Sequence, residues 1–213
     1  GSIDELIRHA VTKLAHLHFV ANEEARDRVI QMGEDPGSIF VIGSPDIDVM
    51  LSDQLPSLDQ VKRRYEIPFE RYGILIYHPV TTEPDLVPHR VGQVIAAVRD
   101  SNRKFVVVYP NSDYGSGIVM ESVKALAQDD RFRVLPSLRF EYFLTLLRNA
   151  EVIVGNSSAG VREAPVYGIQ SVNIGNRQEN RFRYETIIDV PEEREAILEA
   201  LNRFVRTVPP SLH

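Results

Sequence analysis

The 213-residue sequence contains no cysteine, which excludes disulfides, thiolate metal sites and a cysteine nucleophile. That absence fits a reducing compartment, and a cytoplasmic location is expected. No run of Lys and Arg reaches five residues and the formal net charge is −6, so neither a nucleic-acid nor an anionic-membrane partner is expected. No apolar run approaches the roughly 18 residues of a spanning helix, and no apolar signal segment opens the chain. Low-complexity tracts and internal repeats are also missing. No metal site is legible, because His16 and His18 stand without an HExxH motif or a carboxylate cluster. What remains is an ordinary globular mixture, 43% apolar and 25% charged. A chain this long buries roughly 70% of its unfolded surface and needs no staple.

Short β-rich runs alternate with helical patterns almost from end to end. Strands are predicted at 17–21, 39–42, 73–77, 105–109, 132–135, 151–155, 170–174 and 186–189. The runs ILIY, FVVVY and VIV are continuous and β-branched, the mark of strands buried on both faces of a parallel sheet. Helices are predicted at 23–32, between Asn22 as N-cap and Gly33 as C′ residue, and at 57–65, 87–101 and 140–149. In 87–101 one face carries Val91, Val94, Ile95 and Val98, and 140–149 repeats the stripe with Phe143, Leu144 and Leu147. This alternation implies βαβ units with right-handed crossovers, hence an α/β, doubly wound, Rossmann-like parallel sheet. Residues 44–72 break the rhythm with Pro45, Pro56 and Pro68, and a domain boundary is placed near Leu55. Residues 1–55 are then expected to be the tail of a preceding domain whose beginning is absent, and 56–213 a second domain.

The most informative segment is EVIVGNSSAGVREAPVYG, residues 151–168. A buried strand ends at Gly155, Asn156, Ser157 and Ser158 turn tightly, and a helix is expected within the next residues. Glycine permits close backbone approach, the hydroxyls add donors and free helix-start amides carry partial positive charge, together a phosphate cradle. Simple helix capping by a serine explains the same residues. The segment is no GxSxG elbow, and it lacks the P-loop lysine and the GxGxxG spacing, which disfavours nucleoside triphosphates and dinucleotides. Glu163, expected a turn or more into that helix, can accept both hydroxyls of a ribose or stand as a solvated helix residue. Pro165 is tolerated there only if the helix is short or begins late.

Other predicted strand ends also carry polar groups. GILIYHP puts His78 at the end of a buried strand, where an imidazole hydrogen-bonds or protonates a departing phosphate, unless it is structural. FVVVYPNSDYGSG presents Asn111 and Asp113 on a Pro/Gly loop, residue types that also make plain turns. Gly175-Asn176-Arg177 follows another strand, and Arg177 suits a diphosphate or an ion pair equally. Near the start, Asp4, Glu5, Arg8 and His9 crowd a helical first turn, where acids serve the helix dipole and Asp4–Arg8 forms an i, i+4 pair.

Together these residues resemble the UDP-N-acetylglucosamine 2-epimerase family. The matching stretches are GSIDELIRHAVTKLAHLHFVANEEARDRVIQMGEDP, VIGSPDID, YHPVTTE, PNSDYGS, GNSSAGVREAPVYG and VNIGNRQ, in the family's order over nearly the whole chain. The resemblance implies the C-terminal half of a glycosyltransferase-B-type two-domain enzyme, with UDP held mainly by the second domain. It implies His78 at the diphosphate, Ser157 and Ser158 on phosphate, Glu163 on the ribose, Arg177 and Asn111 in the crevice, and Gly155 and Asn156 in the cradle. Asp4 matches a catalytic carboxylate and Arg8 a nearby arginine. HPVTT rather than HRREN points to the hydrolysing branch, which releases UDP and N-acetylmannosamine by elimination and hydration and needs no cofactor. The expected partner is UDP-N-acetylglucosamine or a related UDP-sugar, and apolar surface on a partial domain implies a homo-oligomer. Family carboxylates that would precede Gly1, and a Gly-rich segment and last helix that would follow Pro210, have no counterpart here, so little turnover is expected. Rival readings are a reversible epimerase, a hydrolysing epimerase of a diacetamido-trideoxy sugar, a UDP-sugar transferase and a non-catalytic UDP-sugar binder.

Overall fold

The continuous β-branched runs become parallel strands with side chains packed on both faces. The computed structural model describes residues 3–80, 84–110, 116–178 and 184–203, leaving the side chains of 3–5 and 84 aside. The chain divides into two compact units, Gly1–Asp53 and Gln54–His213.

In the first unit, α1 (Ile3–Leu14) leads to β1 (His18–Val20), α2 (Glu23–Gln31), β2 (Ile39–Val41) and α3 (Pro45–Met50). The strands pair in parallel with His18 opposite Ile39. Asn22 caps α2, its Oδ1 accepting from the Ala25 N–H at 2.8 Å. Gly33 then leaves the helix at φ +90°, where glycine carries no steric penalty. Two strands cannot bury both their sides. Phe19 and Phe40 stack with ring centres 5.7 Å apart and remain 63% and 45% exposed.

The second unit opens with α4 (Leu58–Tyr65), started by a capping box between Ser57 and Gln60. There follow β3 (Gly73–Ile76), α5 (Val87–Asp100), β4 (Phe105–Val108), α6 (Ser116–Lys124), β5 (Phe132–Leu135) and α7 (Phe140–Arg148). Then come β6 (Val152–Gly155), α8 (Glu163–Val166), β7 (Gln170–Ile174), β8 (Ile187–Val190) and α9 (Arg194–Arg203). The six strands are all parallel, in the order β5-β4-β3-β6-β7-β8. Successive residues of β3 feed opposite cores. Leu75 and Tyr77 pack with Val91, Val94 and Val98 of α5, while Ile74 and Ile76 pack with Val61 of α4 and Leu146 and Leu147 of α7. Burial on both faces explains why the runs do not alternate in polarity. The sheet is doubly wound, as expected.

The direction of strand addition reverses between β3 and β6: the chain builds outward through β4 and β5, then returns to β3's other side. Such a switch point opens a crevice at the carboxyl ends of the two strands, because their connections leave in opposite directions.

The helix expected just after Ser158 differs. Ser158–Gly160 is one 3-10 turn, and α8 begins only at Glu163. Pro165 is the reason: deeper in a longer helix it would remove a main-chain bond and clash with the preceding turn, whereas the third position of α8 needs no N–H. Glu163 is thus the first residue of a four-residue helix, not one placed a turn inside it.

Candidate functional site

At the switch point β3 and β6 end side by side, Ile76 opposite Gly155. A Cβ on Gly155 would lie 1.9 Å from the Ile76 carbonyl oxygen, and its φ is +130°. Only glycine lets the strands stay paired there.

The next residue, Asn156, is fully buried. Its N–H donates to the Ile76 carbonyl at 3.2 Å. Its side chain then acts as one more rung of the ladder: Oδ1 accepts from the His78 N–H at 2.7 Å and Nδ2 donates to the His78 carbonyl at 2.8 Å. The Asn156 carbonyl accepts from Arg177 Nη1 at 3.2 Å and from Gln178 Nε2 at 2.9 Å. One buried residue therefore fixes the backbone of His78 on one side and the side chain of Arg177 on the other. The Asn156 side chain is thus engaged at both ends by main chain.

Ser157 caps the 3-10 turn, its Oγ accepting from the Ala159 N–H at 3.3 Å, so the capping alternative is realised for that hydroxyl. The Gly160 N–H goes to the Ser157 carbonyl, and the Val161 and Arg162 N–H groups go to that of Ser158. Among the described residues, no acceptor engages the N–H of Ser157 or Ser158.

His78, Ser157, Ser158 and Arg177 all line one cleft of about 340 Å³, a volume in the range of small-ligand sites. The imidazole residue is buried, at 5% exposure. The lining from the β4–β5 side of the sheet is Val108, Tyr109, Leu138, Phe140 and Phe143, while the polar residues come from the ends of β3, β6 and β7. None of the described lining residues is a carboxylate, and Arg177 brings a guanidinium to the lining. An anion at the polar end and a flat apolar group against the aromatic wall would both be stabilised.

The other anticipated residues are not among the described lining of that cleft. Glu163 is half-buried at the start of α8 and is not part of the cleft wall. Arg8 is an exposed residue of α1 in the first unit. Asp4 belongs to the same helix, but its side chain, like the whole of Asn111, lies outside the described residues. Gln178, Tyr109 and the Phe140/Phe143 wall escaped the sequence reading. Phe143, on the predicted core stripe of 140–149, does pack against the second core while also lining the cleft. Among the described residues, no group of three or more His, Asp and Glu is placed to hold a metal ion, and no helix is long and apolar enough to cross a membrane.

A six-stranded parallel sheet with a polar cleft at its switch point defines the class of protein, a Rossmann-like α/β domain. The chain belongs to the UDP-N-acetylglucosamine 2-epimerase family, whose family model matches residues 1–211. It is 47% identical over 203 residues to the UDP-N-acetylglucosamine 2-epimerase of Neisseria meningitidis, covering 95% of this chain and 54% of the relative. It is 36% identical over 208 residues to the UDP-N,N'-diacetylbacillosamine 2-epimerase (hydrolyzing) of Legionella pneumophila, covering 95% and 55%. The chain thus spans about half the length of the curated relatives it matches. Among solved structures, the UDP-GlcNAc 2-epimerase of Methanocaldococcus jannaschii superposes with a TM-score of 0.70 at 15% identity, over 93% of this chain and 57% of that one. A Neisseria meningitidis UDP-GlcNAc 2-epimerase bound to UDP-GlcNAc gives 0.66 at 17% identity, over 90% and 54%. At these identities the likeness establishes the fold.

Proposed function

We propose that this chain grips the UDP moiety of a UDP-linked N-acetylamino sugar, as the C-terminal half of a two-domain hydrolysing 2-epimerase. The observation that carries the reading is the convergence of His78, Ser157, Ser158 and Arg177 on one cleft. The diphosphate sits at that polar end, held by Arg177, the serine hydroxyls and the Ser157 and Ser158 amides. The uracil ring lies toward the apolar wall, with Glu163 on the ribose and Asn111 facing the crevice. In the complete enzyme a base removes the proton from C2, and the C1–O bond breaks with its electron pair leaving on UDP. The product is a C1=C2 glycal. Water then returns a hydroxyl to C1 and a proton to the opposite face of C2. Donors already aimed at the departing diphosphate stabilise the charge that develops on it. By the resemblance, Asp4 handles a proton near C1–C2, with Arg8 beside it, and residues 1–55 are the tail of the first Rossmann-like domain. Hydrolysis rather than simple epimerisation is supported by the HPVTT motif and by the similarity to the Legionella relative. That relative also supports a second substrate, a UDP-linked diacetamido-trideoxy sugar.

The test has two arms. Calorimetry with UDP on the wild-type chain and on the S157A/S158A double variant is expected to show binding that weakens roughly a hundredfold when two phosphate contacts are lost. Equal affinity of the two proteins refutes the assignment of the turn. In the second arm a full-length relative carrying this half is given each UDP-sugar without acceptor. Free C2-inverted sugar and UDP in equal amounts support hydrolysis, whereas little free sugar points to a transferase. The isolated chain is expected to bind UDP with little turnover.

A further inference from the structure

We propose that Glu192 is a positioning residue for the cleft, holding from behind the two strand ends that deliver His78 and Arg177; this rests on the reading of that cleft as a diphosphate site. Glu192 follows β8, two residues beyond Val190. Its Oε1 accepts from the Tyr77 hydroxyl at 2.5 Å, and its Oε2 pairs with Arg90 Nε at 2.8 Å. Its side chain also covers Gly175, where a Cβ would lie 3.1 Å from the Glu192 carboxyl carbon and φ is +72°. A larger residue at that position would be strained and would push the carboxylate away.

Each of these contacts leads to the cleft. Tyr77 directly precedes His78, and side chains alternate along an extended chain, so anchoring the phenol on the first core fixes the direction in which the imidazole leaves the other side. Asn156 holds the backbone of His78 from the far side. Gly175 opens the turn whose third residue is Arg177. Arg90 lies in the first turn of α5, the helix that follows β3. One carboxylate thus joins the ends of β3, β7 and β8 to a helix start.

This is not the pattern of a surface ion pair. The Glu192 and Arg90 side chains are only 12% and 18% exposed. A carboxylate so far out of water is stable only when its oxygens are satisfied, and here both are. Burial, and then Glu192 itself, push the Tyr77 phenol far up, so it remains a donor throughout the working pH range.

The 213-residue chain serves for the test, with UDP titrated by calorimetry into the wild type, E192A, Y77F and a control, V98A. Val98 is buried in α5 on the same side of the sheet, and its truncation destabilises the fold without touching the network. E192A is expected to raise the Kd for UDP roughly tenfold, the scale on which supporting contacts act. Y77F, which removes a single hydroxyl and keeps the fold if E192A does not, is expected to raise it about threefold. V98A lowers Tm and leaves Kd within about twofold, since it makes no contact with the network. If both network variants lower Tm and bind UDP as the wild type does, Glu192 is merely structural and the proposal is overturned. If the wild type itself fails to bind UDP, the nucleotide reading falls, and the positioning claim is decided by the His78 imidazole resonances. Displacement of those signals by Y77F and not by V98A supports it, and unmoved signals overturn it.

Discussion

Replacing Asn156 removes both rungs that hold His78, at 2.7 and 2.8 Å, from a site with no exposed surface. Asn156→Ala leaves the His78 N–H and carbonyl without these partners, each at a cost of about 1–3 kcal/mol, or roughly 2–6 kcal/mol together. For a domain of this size each kcal/mol lowers Tm by about 2–4 °C, so a drop on the order of 10 °C is expected. Circular dichroism melts measure it. Asn156→Asp sharpens the test. The introduced carboxyl can still accept from the His78 N–H, but its other oxygen faces the His78 carbonyl where an N–H₂ stood. Burial and that facing oxygen raise its folded-state pKa above the ordinary value of about 3.9. A raised folded pKa means the penalty is absent below the unfolded pKa and grows as pH rises through the folded one. N156D is therefore expected to approach the wild type near pH 4 and to fall furthest behind above neutrality, while N156A shows no such trend. Melts of N156A within about 2 °C of the wild type at every pH, against the several degrees that even one lost bond implies, would refute the reasoning.

Gly155→Ala places a methyl carbon 1.9 Å from the Ile76 carbonyl at φ +130°, so a loss of at least about 2 kcal/mol is expected in a urea melt. Asp129 is held at about 2, first by the Arg131 side chain and then by the Arg131 N–H. Its contribution is present above the ordinary carboxylate range and disappears as pH falls toward that value; in R131M, which keeps the main-chain N–H at 131, its carboxyl carbon should titrate higher than in the wild type yet still short of about 3.9 by NMR. The exposed Phe19–Phe40 pair is proposed to drive self-association of the chain. Sedimentation should show the wild type heavier than a monomer and F19S/F40S shifted toward the monomer, and equal profiles would reject that surface.

The fold was legible because its strands are buried on both faces. GILI, FVVV and VIV admit no amphipathic reading, and parallel strands linked by helices leave few topologies. The caps at Asn22 and Gly33 are local chemistry and are read directly, whereas Ser57, counted as the first residue of a helix, proves to be its N-cap. Short α3 was missed because Pro45 and two aspartates signal a turn as well as a helix start. The late start of α8 depends on Pro165, whose consequence was stated in the sequence as a condition without being resolved there.

The candidate site divides along the same line. His78, Ser157, Ser158 and Arg177 each follow a buried strand, and parallel strands place all such ends along one edge. Periodicity alone gives that much. Tyr77 and Glu192 are 115 residues apart and meet only through the order of the strands, so no local pattern announces them. Asn156 was visible, but its two bonds to the His78 backbone were not, because an asparagine in a glycine-serine turn looks alike whether it faces a ligand or its neighbour's backbone.

Crystals of the chain soaked with UDP test the central claim most directly. The account predicts diphosphate density within hydrogen-bonding distance of the Ser157 and Ser158 amides and the Arg177 guanidinium, with the His78 ring facing it. UDP bound anywhere else, or a cleft that stays empty at saturating nucleotide, would contradict it.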